Sequence, residues 1–253
     1  MGAQVIDINS DMGEGFGPWK MGDDAALLGV VSSANIACGF HAGDPVIMGR
    51  TMRLAVENGV GIGAHPGFDD RAGFGRRRLS MSAEELTALV TYQLGAARAT
   101  ATAAGGRVRH LKLHGALSNM ASEDAELARI CYSAALSVDP EIVIMGLAAT
   151  AMEHVCRDLG CAYAGEIFAD RAYNDDATLV ARGTEGAMIH DPQEAATRIR
   201  AMIAEGAIIA RSGKRIATQI DTVCVHGDSA AAVDMARSLR ASLEAGGLTV
   251  RPL

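Results

Sequence analysis

The sequence predicts an α/β fold, a seven-stranded (β/α) barrel, on three observations. Short apolar runs alternate with amphipathic stretches along the chain, the pattern of parallel strands covered by helices. There are seven such runs, at 5–8, 33–37, 60–64, 110–113, 142–146, 162–168 and 222–225. Six of the seven lead directly into polar residues and glycine. In a barrel every C-terminal strand end opens on one mouth, whereas a doubly wound sheet needs such residues only near its switch point. No linker or low-complexity segment interrupts the alternation, so 1–253 reads as one domain.

The helices follow from their termini. The stretch 45–58 has Asp44 as N-cap and Pro45 as first helical residue. The stretch 82–104 opens on a capping box of Ser82 and Glu85. For 122–138 the expected cap is Ser122; 149–159 follows, and 191–205 opens on Asp191 and Pro192. The last helix, 229–245, stops at Gly246–Gly247. The segment 207–219 reads as a hairpin turning at Ser212 and Gly213, outside the repeat.

Composition removes several classes. At 49% hydrophobic and 21% charged residues the chain is not disordered, and it has no apolar run of about 18 residues to span a membrane. A net charge of −7 without any Lys/Arg run argues against nucleic acid and anionic membranes as partners. The start, MGAQVIDINSD, lacks the basic segment of a secretory signal. Five cysteines at irregular spacing (Cys38, Cys131, Cys156, Cys161, Cys224) are expected to be reduced, mostly buried thiols of a cytoplasmic protein. Cys156 and Cys161 have no second pair to complete a zinc site. Most of the rings (Phe16, Trp19, Phe40, Phe68, Phe74, Phe168, Tyr173) fall beside glycines in the strand-end segments, which predicts a close-packed mouth around a small ligand.

Four histidines, His41, His65, His114 and His226, share one context just after a strand. His110 opens a strand and is expected at the opposite face; His154 falls mid-helix. Asp11, Glu14, Asp44, Asp69, Asp170 and Asp228 join the mouth, although Asp44 reads equally as a helix cap and Asp228 shares that reading with Ser229. Such a set serves two chemistries: a divalent metal that activates water, or direct general acid–base work. Lys112 lies inside a strand between Leu111 and Leu113, and an inward lysine needs a partner. The loop 73–78, GFGRRR, offers an arginine for a carboxylate or phosphate, or simply a solvated turn. No phosphate loop, dinucleotide fingerprint or nucleophile elbow is present.

Six blocks carry a resemblance: DINSDMGEGFG (7–17), SANIACGFHAGDP (33–45), GVGIGAHPGFDDRAGFGRR (59–77), KLHGAL (112–117), EIFADRAYNDDATLVAR (166–182) and VCVHGD (223–228). Together they resemble the LamB/YcsF family, departing from its pattern at Leu113 (usually Pro), Ser118 (usually Tyr) and Ala177 (usually Gly). The resemblance implies a barrel of the glycoside hydrolase/deacetylase superfamily type. It implies hydrolytic opening of 5-oxoproline to glutamate coupled to ATP hydrolysis, with two further subunits, B and C. Phosphorylation of the amide oxygen would make the ring carbon electrophilic. On that reading Asp11 or Glu14 is the general base, and His41 and His65 position water or, with Asp11, a divalent metal. Lys112 and His114 stabilise the oxyanion or phosphate. Asn9, Arg76 or Arg77, Asp170, Arg171, His226 and Asp228 hold substrate or phosphate. Two rivals are a stand-alone metal-dependent deacetylase or amidohydrolase, and a non-catalytic subunit that binds a small acid.

Overall fold

A computed structural model describes residues 4–226 and 230–253. Seven parallel strands, β1 (Val5–Met12), β2 (Ser33–Ala37), β3 (Gly61–His65), β4 (Val108–Lys112), β5 (Val143–Leu147), β6 (Tyr163–Phe168) and β9 (Thr222–Cys224), pair in that order. Pairing of β1 with β9, Asp7 opposite Thr222 and Asn9 opposite Cys224, closes the barrel. Between β6 and β9 a two-stranded antiparallel ribbon, β7 (Ala207–Ile209) and β8 (Arg215–Ala217), turns at Gly213 as the hairpin reading expects. A short strand, β10 (Thr249–Val250), extends the sheet beside Val5 and Ile6.

Among the described residues eight helices surround the strands: α1 (Asp24–Leu28), α2 (Pro45–Glu57), α3 (Ala83–Ala103), α4 (Gly115–Glu123), α5 (Ala125–Val138), α6 (Ala151–Leu159), α7 (Pro192–Glu205) and α8 (Ala230–Ala245). The expected caps form on α2, α3 and α7. Asp44 accepts from Val46 and Ile47, Ser82 and Glu85 close a capping box, and Asp191 accepts from Gln193. The stretch 122–138 is corrected. Two helices meet at Asp124, whose carboxylate caps α5 at the amides of Glu126 (2.9 Å) and Leu127 (3.2 Å). Ser122 is spent inside α4 on the carbonyl of Asn119.

The hydrophobic core lies between strands and helices. Ile6, Ile8 and Met12 on β1 pack outward with Ile36, Met52 and Leu94. Asp7, Asn9 and Asp11 alternate with them and face the barrel axis, so residues expected in a loop after a four-residue strand are strand residues. All five cysteines are free thiols, four of them buried.

The corrected helix boundary is checked by substitution. Asp124→Ala should destabilise the protein by about 1 kcal/mol, lowering the thermal midpoint by about 2–4 °C. Ser122→Ala should shift it less.

Candidate active site

Lys112, the last residue of β4, is buried on the barrel axis, and its ammonium is neutralised there. Nζ lies 2.7 Å from Glu166 Oε1 on β6 and 3.1 Å from Asp11 Oδ1 on β1. Asn9 Oδ1 (3.3 Å) and Cys224 Sγ (3.2 Å) complete its surroundings. Burial works to lower the Lys112 ammonium, but Asp11 and Glu166 hold it well above its usual range. Burial likewise works to raise the Asp11 carboxyl, and His65 and Lys112 hold it well below.

Below this centre runs a column of hydrogen bonds. Asn35 on β2 donates through Nδ2 to Asn9 Oδ1 (2.7 Å) and Asp11 Oδ1 (2.9 Å). His110 Nε2 lies 2.7 Å from Asn35 Oδ1, and since that oxygen only accepts, the imidazole donates and fixes the amide. Asn9 donates to Thr222, which donates to Asp7 at the base. His110, expected at the opposite face, is therefore corrected: it is fully buried on the axis, two residues below Lys112 on the same strand face. It fits because β3 has glycine opposite: a Cβ on Gly63 would stand 2.0 Å from His110 Nε2. Burial pushes the His110 imidazole down to about 3.

Above Lys112, three imidazoles gather. His65 ends β3, with Nδ1 2.8 Å from the Lys112 carbonyl oxygen. His114 follows β4, with Nε2 2.9 Å from the Phe74 carbonyl oxygen. Carbonyls only accept, so these nitrogens carry protons and turn the other two, His65 Nε2 and His114 Nδ1, toward each other at 3.1 Å. His41 stacks on His114 with ring centroids 3.7 Å apart. It is fully buried, and neither ring nitrogen has a hydrogen-bond partner among the described residues. Glu14 Oε1 lies 3.9 Å from His41 Nε2 and 3.8 Å from His114 Nδ1. Burial pushes His114 down to about 3 and His41 well below its usual value. The loop 66–75 closes over the rings, and Gly75 (φ 61°) permits it: a Cβ there would come within 2.7 Å of His41.

Donor atoms of Glu14, His41, His65 and His114 lie within 4.8 Å of one another, an arrangement able to hold a metal ion. The orphaned nitrogens of buried His41 and the facing nitrogens of His65 and His114 fit such an ion. Of the residues expected to ligate, His41 and His65 belong to this group. Asp11 sits 3.4 Å from His65 but is engaged by Lys112 and Asn35.

The opposite wall comes from the segment after β6. Asp170 Oδ2 accepts from His226 Nδ1 at 2.7 Å, and Arg182 donates to His226 Nε2 at 2.9 Å. Burial works to raise the Asp170 carboxyl; His226, with Arg182 and Arg171 nearby, brings it below its usual value. Arg171 is buried and donates to the Val180 carbonyl. Arg76 lies over the Phe74 ring at 4.9 Å. Arg77 turns away and pairs with Asp70, holding the loop rather than facing the cavity. Asp44 serves as a cap, and Asp228 lies outside the described residues. Of the rings, Phe168 lines the cavity, Phe74 backs the histidines, and Trp19 faces solvent at 69% exposure. Between the two walls is a cavity of about 470 Å³ lined by Asp11, Glu14, His65, Lys112 and His114, by Arg76 from the loop over the histidines, and by Arg171 and Arg182 from the segment after β6.

The model of the LamB/YcsF family matches residues 6–253. The chain belongs to the LamB/YcsF family. Within it, the A subunit of 5-oxoprolinase from Ruegeria pomeroyi is 61% identical over 245 residues, 97% of each chain. The A subunit of 5-oxoprolinase from Gluconobacter oxydans is 47% identical over 253 residues, the whole of both chains. The crystal structure of a lactam utilization protein from Thermus thermophilus superposes with a TM-score of 0.92 at 41% identity, over 99% of this chain and all of that one. A T48 deacetylase solved with substrate shares the barrel alone, with a TM-score of 0.51 at 15% identity over 99% of this chain and 88% of that one. The LamB/YcsF barrel thus carries its polar groups at one mouth, as the strand-end residues require.

Three residues escaped the sequence reading, Glu166, Asn35 and Arg182, and a fourth, His110, was expected at the wrong face. Asn35 and His110 carry a signal in the period of a strand, whereas Glu166 stands alone between apolar residues on β6. Asp7, Asn9 and Asp11, then Ser33 and Asn35, then His110 and Lys112, recur at every second position. Arg182 has no such pattern.

The column can be tested through acidity. His110 binds its proton only near pH 3 when folded but near its ordinary 6.5 when unfolded. Its contribution is therefore complete above about pH 6.5 and is lost as pH falls toward 3. In the unfolding free energy, His110→Gln should reduce the loss on acidification by about 1.4 kcal/mol per pH unit in that window. Gly63→Ala, which forces the ring aside, should cost about 1–3 kcal/mol at neutral pH.

Proposed function

We propose that this chain is the A subunit of an ATP-dependent 5-oxoprolinase. It opens 5-oxo-L-proline to L-glutamate together with subunits B and C, with ADP and phosphate as the other products. The observation that carries the reading is full-length identity of up to 61% to proteins of that name. The site supports it with a fixed cation, carboxylates and imidazoles around a cavity of small-molecule size.

In this reading the amide carbonyl oxygen lies toward Lys112, which keeps its proton and acts as a fixed positive charge. A carboxyl held as far down as Asp11 is a poor proton acceptor, so its part is to hold Lys112 and His65 in place. Glu14 is the base: it takes a proton from the attacking water, whose oxygen bonds to the ring carbon. The C–N bond then breaks, and Glu14 returns the proton to the departing ring nitrogen. Before the water attacks, the amide oxygen takes the γ-phosphoryl group of ATP and ADP leaves; breaking the C–N bond then leaves a glutamyl phosphate, whose hydrolysis by a second water gives glutamate and phosphate, so two waters are consumed overall. Asn9 holds Lys112 from below, Arg76, Arg171 and His226 line the cavity that takes the substrate, and Asp170 orients His226 through Nδ1.

His41, His65 and His114 would hold a divalent metal, with Glu14 beside it. Such an ion, when bound, supplies Lewis acidity and lowers the pKa of a bound water. We place the protein in the cytoplasm, a reading supported by its five free thiols and its need for ATP. Among the described residues no helix is long and apolar enough to cross a membrane.

Glutamate formation from 5-oxoproline, measured with and without ATP and with and without subunits B and C, should require all components. Turnover by this chain alone without ATP would overturn the reading in favour of a metal-dependent amidohydrolase. In the complete system Glu14→Gln should lower the rate by about 10²-fold or more.

Metal binding is checked apart from activity. Co²⁺ added to the isolated chain should give a visible absorption band at one equivalent, lost in His41→Ala and kept in Arg77→Gln.

A further inference from the structure

The hairpin of β7 and β8 lies outside the strand–helix repeat, and nothing in the site described above uses it. Ala207 and Ile208 bury its first strand. Where the chain leaves it, Asp221 ties it to β6: Asp221 N donates to the Gly165 carbonyl, and Asp221 Oδ2 accepts from Gly165 N at 2.8 Å. Its tip stands against the turn that follows β6. There Arg211 N donates to the Tyr173 carbonyl (3.0 Å) and Lys214 Nζ to the Asp175 carbonyl (2.8 Å), while the Ser212 hydroxyl donates to the Asp175 carboxylate. Lys214 N donates to Ser212 Oγ at 3.2 Å, so two of these contacts support each other.

The gripped turn runs straight into the cavity wall. Thr178, Leu179, Ala181 and Arg182 line the cavity, and Arg171 donates to the Val180 carbonyl among them. Between grip and wall stands Ala177, fully buried at φ 67°. That backbone is disfavoured for an L-residue and persists only where its surroundings over-determine it. The turn's own bonds are few: Asn174 N to the Thr178 carbonyl (2.8 Å) and Ala177 N to the Asn174 carbonyl (3.1 Å), with the Asn174 and Asp176 side chains on Thr178. The hairpin adds three contacts to them from outside. We propose that the hairpin tip is a brace, in which Ser212 and Lys214, acting through Asp175, are positioning residues that set where the segment 178–182 meets the substrate. The effect on substrate rests on the reading of the cavity as the lactam site; the hold on the turn does not.

Hydrogen exchange on the full chain reads the hold directly. Ser212→Ala and Lys214→Met should each speed exchange at the amides of Asn174, Ala177 and Val180 by about tenfold, with the amides of β1 to β5 unchanged. Ser212→Thr, which keeps the hydroxyl, should restore slow exchange. Gln219→Ala, an exposed residue bonded to Asp221 at the other end of the hairpin, should change nothing. In the complete system with ATP and subunits B and C, Ser212→Ala and Lys214→Met should raise KM for 5-oxoproline about fivefold and leave kcat within about twofold. Unchanged exchange at the turn, faster exchange throughout the strands, or a loss confined to kcat would overturn the proposal. If wild type forms no glutamate while the turn responds, the 5-oxoprolinase reading falls and the brace stands. Glutamate formation with an unresponsive turn does the reverse.

Discussion

One ammonium group organises this barrel. Lys112 is buried where seven strands converge, and a lone charge there would cost several kcal/mol. Two carboxylates from different strands, Asp11 and Glu166, answer it at 3.1 and 2.7 Å. Asp11 must then be held in turn, since a buried carboxylate with idle lone pairs is itself expensive. Asn35 takes up that work by donating to Asp11, His110 fixes the Asn35 amide, and Asn9 and Thr222 carry the chain of donors down to Asp7, which accepts it. The polar column through the axis follows from the burial of one lysine.

The same charge shapes the histidine cluster above it. The Lys112 backbone carbonyl fixes the His65 tautomer while the Lys112 side chain holds Asp11 against that imidazole. The residue therefore acts twice, through its carbonyl on one neighbour and its ammonium on another, and ties the acid–base groups to the candidate metal ligands. Burial keeps His114 and His41 deprotonated at neutral pH, which leaves nitrogen lone pairs facing inward. These are the conditions under which imidazoles accept a metal.

The strand count and most of the mouth residues were readable because strand ends in a parallel barrel share one direction. Helix caps were readable where a side chain was free to reach an amide. Ser122 misled because its hydroxyl had a nearer acceptor within its own helix. His110 misled because position within a strand was read as top or bottom, when the face of the strand decides whether a side chain meets solvent or axis. Arg182 could not be found from sequence at all, since its place depends on how the segment after β6 folds back over the cavity. Ala177 shows the limit in the other direction. The glycine usual there is explained by a φ of 67°, a backbone that costs an L-residue about 1–2 kcal/mol, yet here alanine bears it.

The two walls of the cavity stand on different kinds of support. Asp11, His65, Lys112 and Glu166 belong to strands, where neighbouring backbone fixes each Cα to within a small tolerance. Arg171 and Arg182 belong to the segment 169–191, which is held by turn-like hydrogen bonds such as Asn174 to Thr178 and Val180 to Ala172. A reacting carbon needs groups placed within about half an ångström, whereas an anion held by long guanidinium arms tolerates more. The fixed charges therefore belong on the barrel strands, with Glu14 two residues beyond the end of β1, and the arginines of the facing wall belong on the loop. It follows that the loop can change in length or composition, and with it the ligand the cavity admits, while the Lys112 centre stays as it is.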